Sequence, residues 1–173
     1  MRIYMLLFLV AGLSVSTFAQ PRRWAVGAKL GEPTALNLRK YGDRNALDIA
    51  LGTYGGLVGK NRVYRKGTYQ SVGVMLNVTY LWYVPFINNR MTAYAGFGGQ
   101  INARHYYPDP SAMTAEVSYP KSISLGPGGT VGLEYFSRMK TTSFFLEGGG
   151  YTELLPDFLF LSPQLSFGIR NNF

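Results

Sequence analysis

The sequence predicts an all-β fold, an eight-stranded antiparallel up-and-down transmembrane β-barrel. Three observations lead to it. Apolar and polar residues alternate with a period of two in eight segments, and no stretch shows a helical period. Such alternation places successive side chains on opposite faces of a strand. The connections between segments alternate between short and long, and charged residues fall inside the strands on their polar face. Glycine (21 residues) and aromatics (15%) are both abundant, as suits a barrel better than a helical protein.

Residues 1–19 read as an export signal that is removed. Arg2 is a short positive region, Met5 to Leu13 an apolar one, and Thr17-Phe18-Ala19 a cleavage site before Gln20. The apolar run is too short to span a bilayer comfortably. The domains expected are therefore a signal peptide at 1–19 and a barrel at 20–173. Without Cys, the exported chain must be stabilised by something other than disulfides. A closed barrel in lipid supplies this through its ladder of backbone hydrogen bonds. Once Arg2 is lost, 16 Lys and Arg stand against 9 Asp and Glu, a formal +7. For an exported chain that charge favours acidic lipid head groups or polyanionic glycans over nucleic acid.

The first strand is read at Arg23–Leu30, with Trp24, Val26, Ala28 and Leu30 opposite Ala25, Gly27 and Lys29. Gly31-Glu32-Pro33 turns it into Thr34–Tyr41, and Gly42 to Asn45 is a tight turn by composition. The third strand is Ala46–Tyr54. A polar loop follows, carrying Lys60, Arg62, Arg65 and Lys66. The fourth and fifth strands, Tyr69–Val84 and Arg90–Tyr107, are joined by a short turn. A second long loop leads to Ile123–Ser137, and another short turn to Thr142–Glu153. Leu154, Leu155, Phe158, Leu159, Phe160 and Leu161 are unusually apolar for a loop, so either the eighth strand, written as Pro163–Phe173, begins near Phe158, which is the favoured reading, or a partner-binding patch lies there.

Alternation alone also fits a soluble barrel with its apolar face inward. Two features favour lipid outside. Lys29, Arg39, Asp48, Arg104, Glu134, Glu147 and Arg170 share the polar face with many glycines, which suits a narrow lumen where ions can pair. In addition, Trp24, Trp82, Tyr135 and Phe173 sit on the apolar face at one end of their strands, an interfacial aromatic girdle. Arg39, Asp48, Glu134, Glu147 and Arg170 are expected to form a lumenal ion network. Lys29 and Arg104, nearer the external end, are expected to be better solvated.

The chain resembles the small outer-membrane β-barrels of Gram-negative bacteria of the OmpX and OmpA-transmembrane type. The resemblance rests on the strand pair around Gly31-Glu32-Pro33, on Gly132-Leu133-Glu134-Tyr135, and on Gly168-Ile169-Arg170 before Phe173. It implies location in the outer membrane and contact with its lipids and lipopolysaccharide. It also implies assembly by the barrel insertion machinery, which reads a terminal aromatic residue. Activity is not implied.

Candidate chemistry is sparse. His105 is the single histidine, and no Ser–His–acid spacing matches the lipid A modifying barrels, so no enzyme is expected. Gly126 to Gly132 lacks the Lys-Ser/Thr ending of a phosphate loop, and Asn77-Val78-Thr79 lies within a strand. One His and no Cys leave no metal site, and no cofactor is expected. Lys60, Arg62, Arg65 and Lys66 form the candidate polyanion-binding loop. The expected role is structural or interactive, with a small pore for ions or small solutes as one alternative and a lipid A modifying enzyme as the other.

Overall fold

A computed structural model describes residues 23–54, 63–64, 67–87, 90–106, 121–139, 141–156 and 158–173. At 63–64, 67–72, 105–106 and 121 the backbone alone is described. The export signal and the basic loop residues Lys60, Arg62, Arg65 and Lys66 lie outside the described residues. So does the side chain of His105.

The wall strands are β1 (Trp24–Glu32), β2 (Thr34–Tyr41), β3 (Asn45–Tyr54), β5 (Gly67–Phe86), β6 (Met91–Tyr106), β7 (Lys121–Phe136), β8 (Thr142–Glu153) and β9 (Phe160–Asn172). A two-residue strand, β4 (Val63–Tyr64), pairs only with β5. Each wall strand pairs antiparallel with its sequence neighbour in the wall, β3 pairs with β5, and β9 pairs back onto β1. The sheet is therefore a closed barrel of eight strands. No helix occurs among the described residues.

The seam between β1 and β9 is closed down to its last residue. Trp24 and Phe173 exchange backbone hydrogen bonds at 3.1 and 2.8 Å. At the same end the turns are tight, as where the Gly42 amide donates to the Asn45 carbonyl at 2.8 Å. At the other end Gly31 holds φ at +134°, a region closed to most side chains, so the β1–β2 hairpin needs glycine there. Strand lengths are uneven. β5 has 20 residues and β6 and β7 have 16 each, against 9 in β1 and 8 in β2.

The burial pattern is that of a globular protein turned inside out. Phe97 is 65% exposed, and Leu36, Leu51, Val131, Leu133, Phe167 and Ile169 also face outward. The largest fully buried side chains include Arg39, Arg104, Arg170, Gln100, Glu134 and Glu153. Water could not favour this arrangement, whereas a bilayer would. The expected eighth-strand start is close: β9 begins at Phe160.

Candidate functional site: a two-tier polar plug in the lumen

The lower tier is the ion network that strand parity points to. Arg39 on β2 lies directly across from Asp48 on β3, so a single cross-strand step brings its Nε within 2.8 Å of Asp48 Oδ1. Its two terminal nitrogens reach across the lumen, to Glu134 Oε2 at 3.4 Å and Glu147 Oε1 at 2.8 Å. Arg170 on β9 bridges the same two carboxylates, at 3.1 and 2.8 Å. Lys29 adds a 3.3 Å contact to Glu147 Oε2.

Glu134 is the most heavily satisfied member. Besides both guanidinium groups it accepts from Tyr41 Oη at 2.8 Å, Tyr83 Oη at 3.0 Å and Ser143 Oγ at 2.7 Å. Tyr94 donates to Glu147 at 2.7 Å, and Asn37 Nδ2 donates to Asp48 at 2.8 Å. Lys29, Arg39 and Arg170 balance Asp48, Glu134 and Glu147, so the cluster is neutral. Neutrality with near-complete hydrogen bonding is what lets such a cluster persist away from water.

A second tier lies toward the opposite end from the Trp24–Phe173 seam pair. Ser124 Oγ on β7 is its hub, contacted by Asn102 Nδ2 (3.2 Å), Arg104 Nη2 (3.0 Å) and Tyr151 Oη (3.1 Å). Arg104 also pairs with Glu153 Oε2 at 3.0 Å and lies 5.3 Å from the Tyr54 ring centre. Gln100 continues the chain by donating to Asn102 Oδ1 at 2.8 Å.

This tier corrects one expectation. Arg104 is 2% exposed and Lys29 7%, so neither is solvated. Parity places Gln100, Asn102, Arg104, Ser124 and Tyr151 on the lumenal face. Glu153, the last residue of β8, shares the parity of Tyr151 and supplies the counter-charge, although it was not singled out from the sequence. Beside the lower tier, against Lys29, Arg39, Asp48 and Glu147, lies a chamber of about 20 Å³. Asn77, Thr79, Thr130, Gln164 and Ser166 help to line it. A polar space of that size holds about one water molecule.

The remaining predicted positions fall as follows. Trp24, Trp82, Tyr135 and Phe173 are all outward and exposed, with Lys40 Nζ 5.3 Å from the Trp24 ring centre. Gly126 to Gly132 lies within β7, and Asn77 within β5, where it donates to Gln100 Oε1 at 3.3 Å. The His105 backbone pairs with Lys121 in the β6–β7 ladder. Among the described residues, no three His, Cys, Asp or Glu side chains are grouped as a metal ion would require.

The chain superposes on the crystal structure of the N-terminal β-barrel domain of Pseudomonas aeruginosa OprF. The TM-score is 0.63 and the identity 12%, covering 89% of this chain and all of that one. This chain has the OprF barrel fold. A looser likeness, TM-score 0.49 and 11% identity, relates it to Ail, the attachment invasion locus protein of Yersinia pestis, over 87% of this chain and 93% of that one. No protein-family model and no curated protein matches the sequence.

Proposed function

We propose that this chain is an outer-membrane barrel with a structural or interaction role, exported through a signal at 1–19 and closed to ion flow. The observation that carries the reading is the inverted burial. A belt of exposed Leu, Val, Ile and Phe surrounds a lumen filled by two tiers of paired charges. The shared OprF barrel fold supports the same class of protein. Fractionation of intact cells tests location: the mature chain should begin at Gln20 and sediment with outer membranes. Recovery in the soluble fraction would refute it.

The closed lumen separates this reading from the small pore. Reconstituted in a planar bilayer, the intact barrel should give little or no steady conductance. Large, stable current steps would replace the plug with a channel.

The external surface is where an interaction role is to be sought. Lys60, Arg62, Arg65 and Lys66 are proposed to bind lipopolysaccharide phosphates or another polyanion through charge-assisted pairs. Neutralising all four should weaken association with lipopolysaccharide, and added salt should weaken the wild-type association likewise. Equal binding by both proteins at low salt would remove the loop from the reading. No catalytic step is proposed.

A further inference from the structure

We infer that the tight-turn end of this barrel is a binding ring for the phosphates of acidic phospholipids. Its cations are Arg23, Lys40, Arg44, Arg90 and Arg138. The inference rests on the membrane reading above and adds to it a lipid class and the residues that hold it.

The ring follows from where the chain turns. Between β2 and β3 the turn holds Arg44, between β5 and β6 Arg90, and between β7 and β8 Arg138. Arg23 precedes β1 at the same end, and its carbonyl accepts from the Tyr41 amide at 2.8 Å. Lys40 pairs with Trp24 in the β1–β2 ladder. All five side chains are exposed. The ion pairs among the described residues join buried side chains, and none involves the ring. Asp43 is the one exposed carboxylate side chain among the described residues. Together with the carboxylate of Phe173, the last residue of the sequence, it leaves the five cations in excess. Fixed cations in excess at one rim raise the local concentration of anions there.

The ladder also sets the height of the ring. Trp24, Trp82 and Tyr135 face outward here, and such aromatics sit at head-group level in a bilayer. Each has a cation beside it. Lys40 lies across from Trp24, with its Nζ 5.3 Å from the ring centre. Arg44 adjoins Asn45, the ladder partner of Trp82, and Arg90 adjoins Met91, the ladder partner of Tyr135. Arg138 follows Tyr135 by three residues. Cations held at that height meet lipid phosphates before any partner lying beyond the membrane. Phosphate oxygens suit them, because they accept charge-assisted hydrogen bonds from guanidinium and ammonium groups. The tight turns of such barrels face the periplasm, which puts the ring in the phospholipid leaflet and apart from lipopolysaccharide.

Brominated lipids test the ring with its own tryptophans. The full barrel is refolded into vesicles of phosphatidylcholine and phosphatidylglycerol, with bromines on the upper acyl chain of one lipid or the other. Trp82→Phe leaves Trp24 to report on Arg23 and Lys40, and Trp24→Phe leaves Trp82 to report on Arg44 and Arg90. At low salt the half-quenching fraction should be about fivefold lower for brominated phosphatidylglycerol, the effect of one engaged cation. Added salt should shrink that preference. Arg23→Gln, Lys40→Gln, Arg44→Gln, Arg90→Gln and Arg138→Gln together should erase it, whereas Lys40→Arg should keep it at Trp24. Equal quenching by the two lipids at low salt would overturn the inference. So would a preference that survives all five Gln substitutions, since its source would then lie elsewhere on the barrel. Should that variant fail to fold, as read by gel mobility of unheated samples, two pairs test the sides separately: Arg23→Gln with Lys40→Gln, and Arg44→Gln with Arg90→Gln. Quenching of either tryptophan by neither lipid would instead sink the membrane reading itself.

Discussion

Removing the Glu134 carboxylate should damage this barrel more than removing any cation near the edge of the plug. Glu134 is fully buried and satisfies Arg39, Arg170, Tyr41, Tyr83 and Ser143 together. With Glu134→Ala, two guanidinium groups lose a shared counter-charge where water cannot replace it, at a cost of about 3–5 kcal/mol. Lys29 makes one contact, to Glu147, which keeps Arg39, Arg170 and Tyr94. Lys29→Ala should therefore cost only about 1–2 kcal/mol. Urea titrations in vesicles, followed by gel mobility of unheated samples, give both values. Glu134→Gln keeps the volume and removes the charge, so it should remain close to Glu134→Ala if charge and not a cavity sets the loss. The pair Glu134→Ala and Arg170→Ala should be strongly non-additive. Equal or larger loss from Lys29→Ala would refute the ranking, and with it the view that Glu134 is the centre of the plug.

Deleting Phe173 removes both backbone bonds that join it to Trp24, and should lower the amount of assembled, heat-modifiable barrel in outer membranes. Assembly at the wild-type level would show that the seam closes without its last pair. Phe97→Arg places a charge on the lipid face and should cost about 2–4 kcal/mol in folding titrations; a neutral result would invert inside and outside. The adjacent glycines separate crowding from exposure. A methyl at Gly98 would run into the Val78 carbonyl oxygen and the Thr79 backbone, so Gly98→Ala should destabilise the barrel measurably. At Gly99 nothing lies within 4 Å, and Gly99→Ala should be close to neutral in the same titration.

The face each residue occupies was legible in the sequence because a strand's side-chain period is fixed by backbone geometry. Arg39, Asp48, Glu134, Glu147 and Arg170 could thus be assigned to one interior before any coordinates. Partner choice was less legible. Arg39 meets Asp48 through adjacent strands, but it meets Glu147 across the lumen, and that contact depends on barrel tilt and closure. Arg104 shows the cost of judging by strand position alone. It lies near the external end, yet Glu153 and Ser124 enclose it. Leu154, Leu155, Phe158 and Leu159 carried a third ambiguity, since an exposed connection and an outward-facing strand ask for the same residue types. The amides of Leu154 and Leu155 both donate to the Leu125 carbonyl, a β-bulge, which is a backbone event with no sequence period of its own.

Closure of β9 onto β1 has a consequence for how the chain must reach this state. The two strands that meet at the seam are the first and last of the wall, so the ring depends on the contact of greatest sequence separation. Until it forms, the remaining sheet has two unpaired edges, which hydrocarbon does not tolerate. Arg170 arrives with that final strand and carries the second charge that, with Arg39, spans Glu134 and Glu147. Before docking, those two carboxylates have only Arg39 and Lys29 as ionic partners in the cluster. The plug can therefore be completed only in the closed ring. Arg170 acts as a latch, and a strand that slipped by one residue would turn it toward lipid and leave the interior unbalanced.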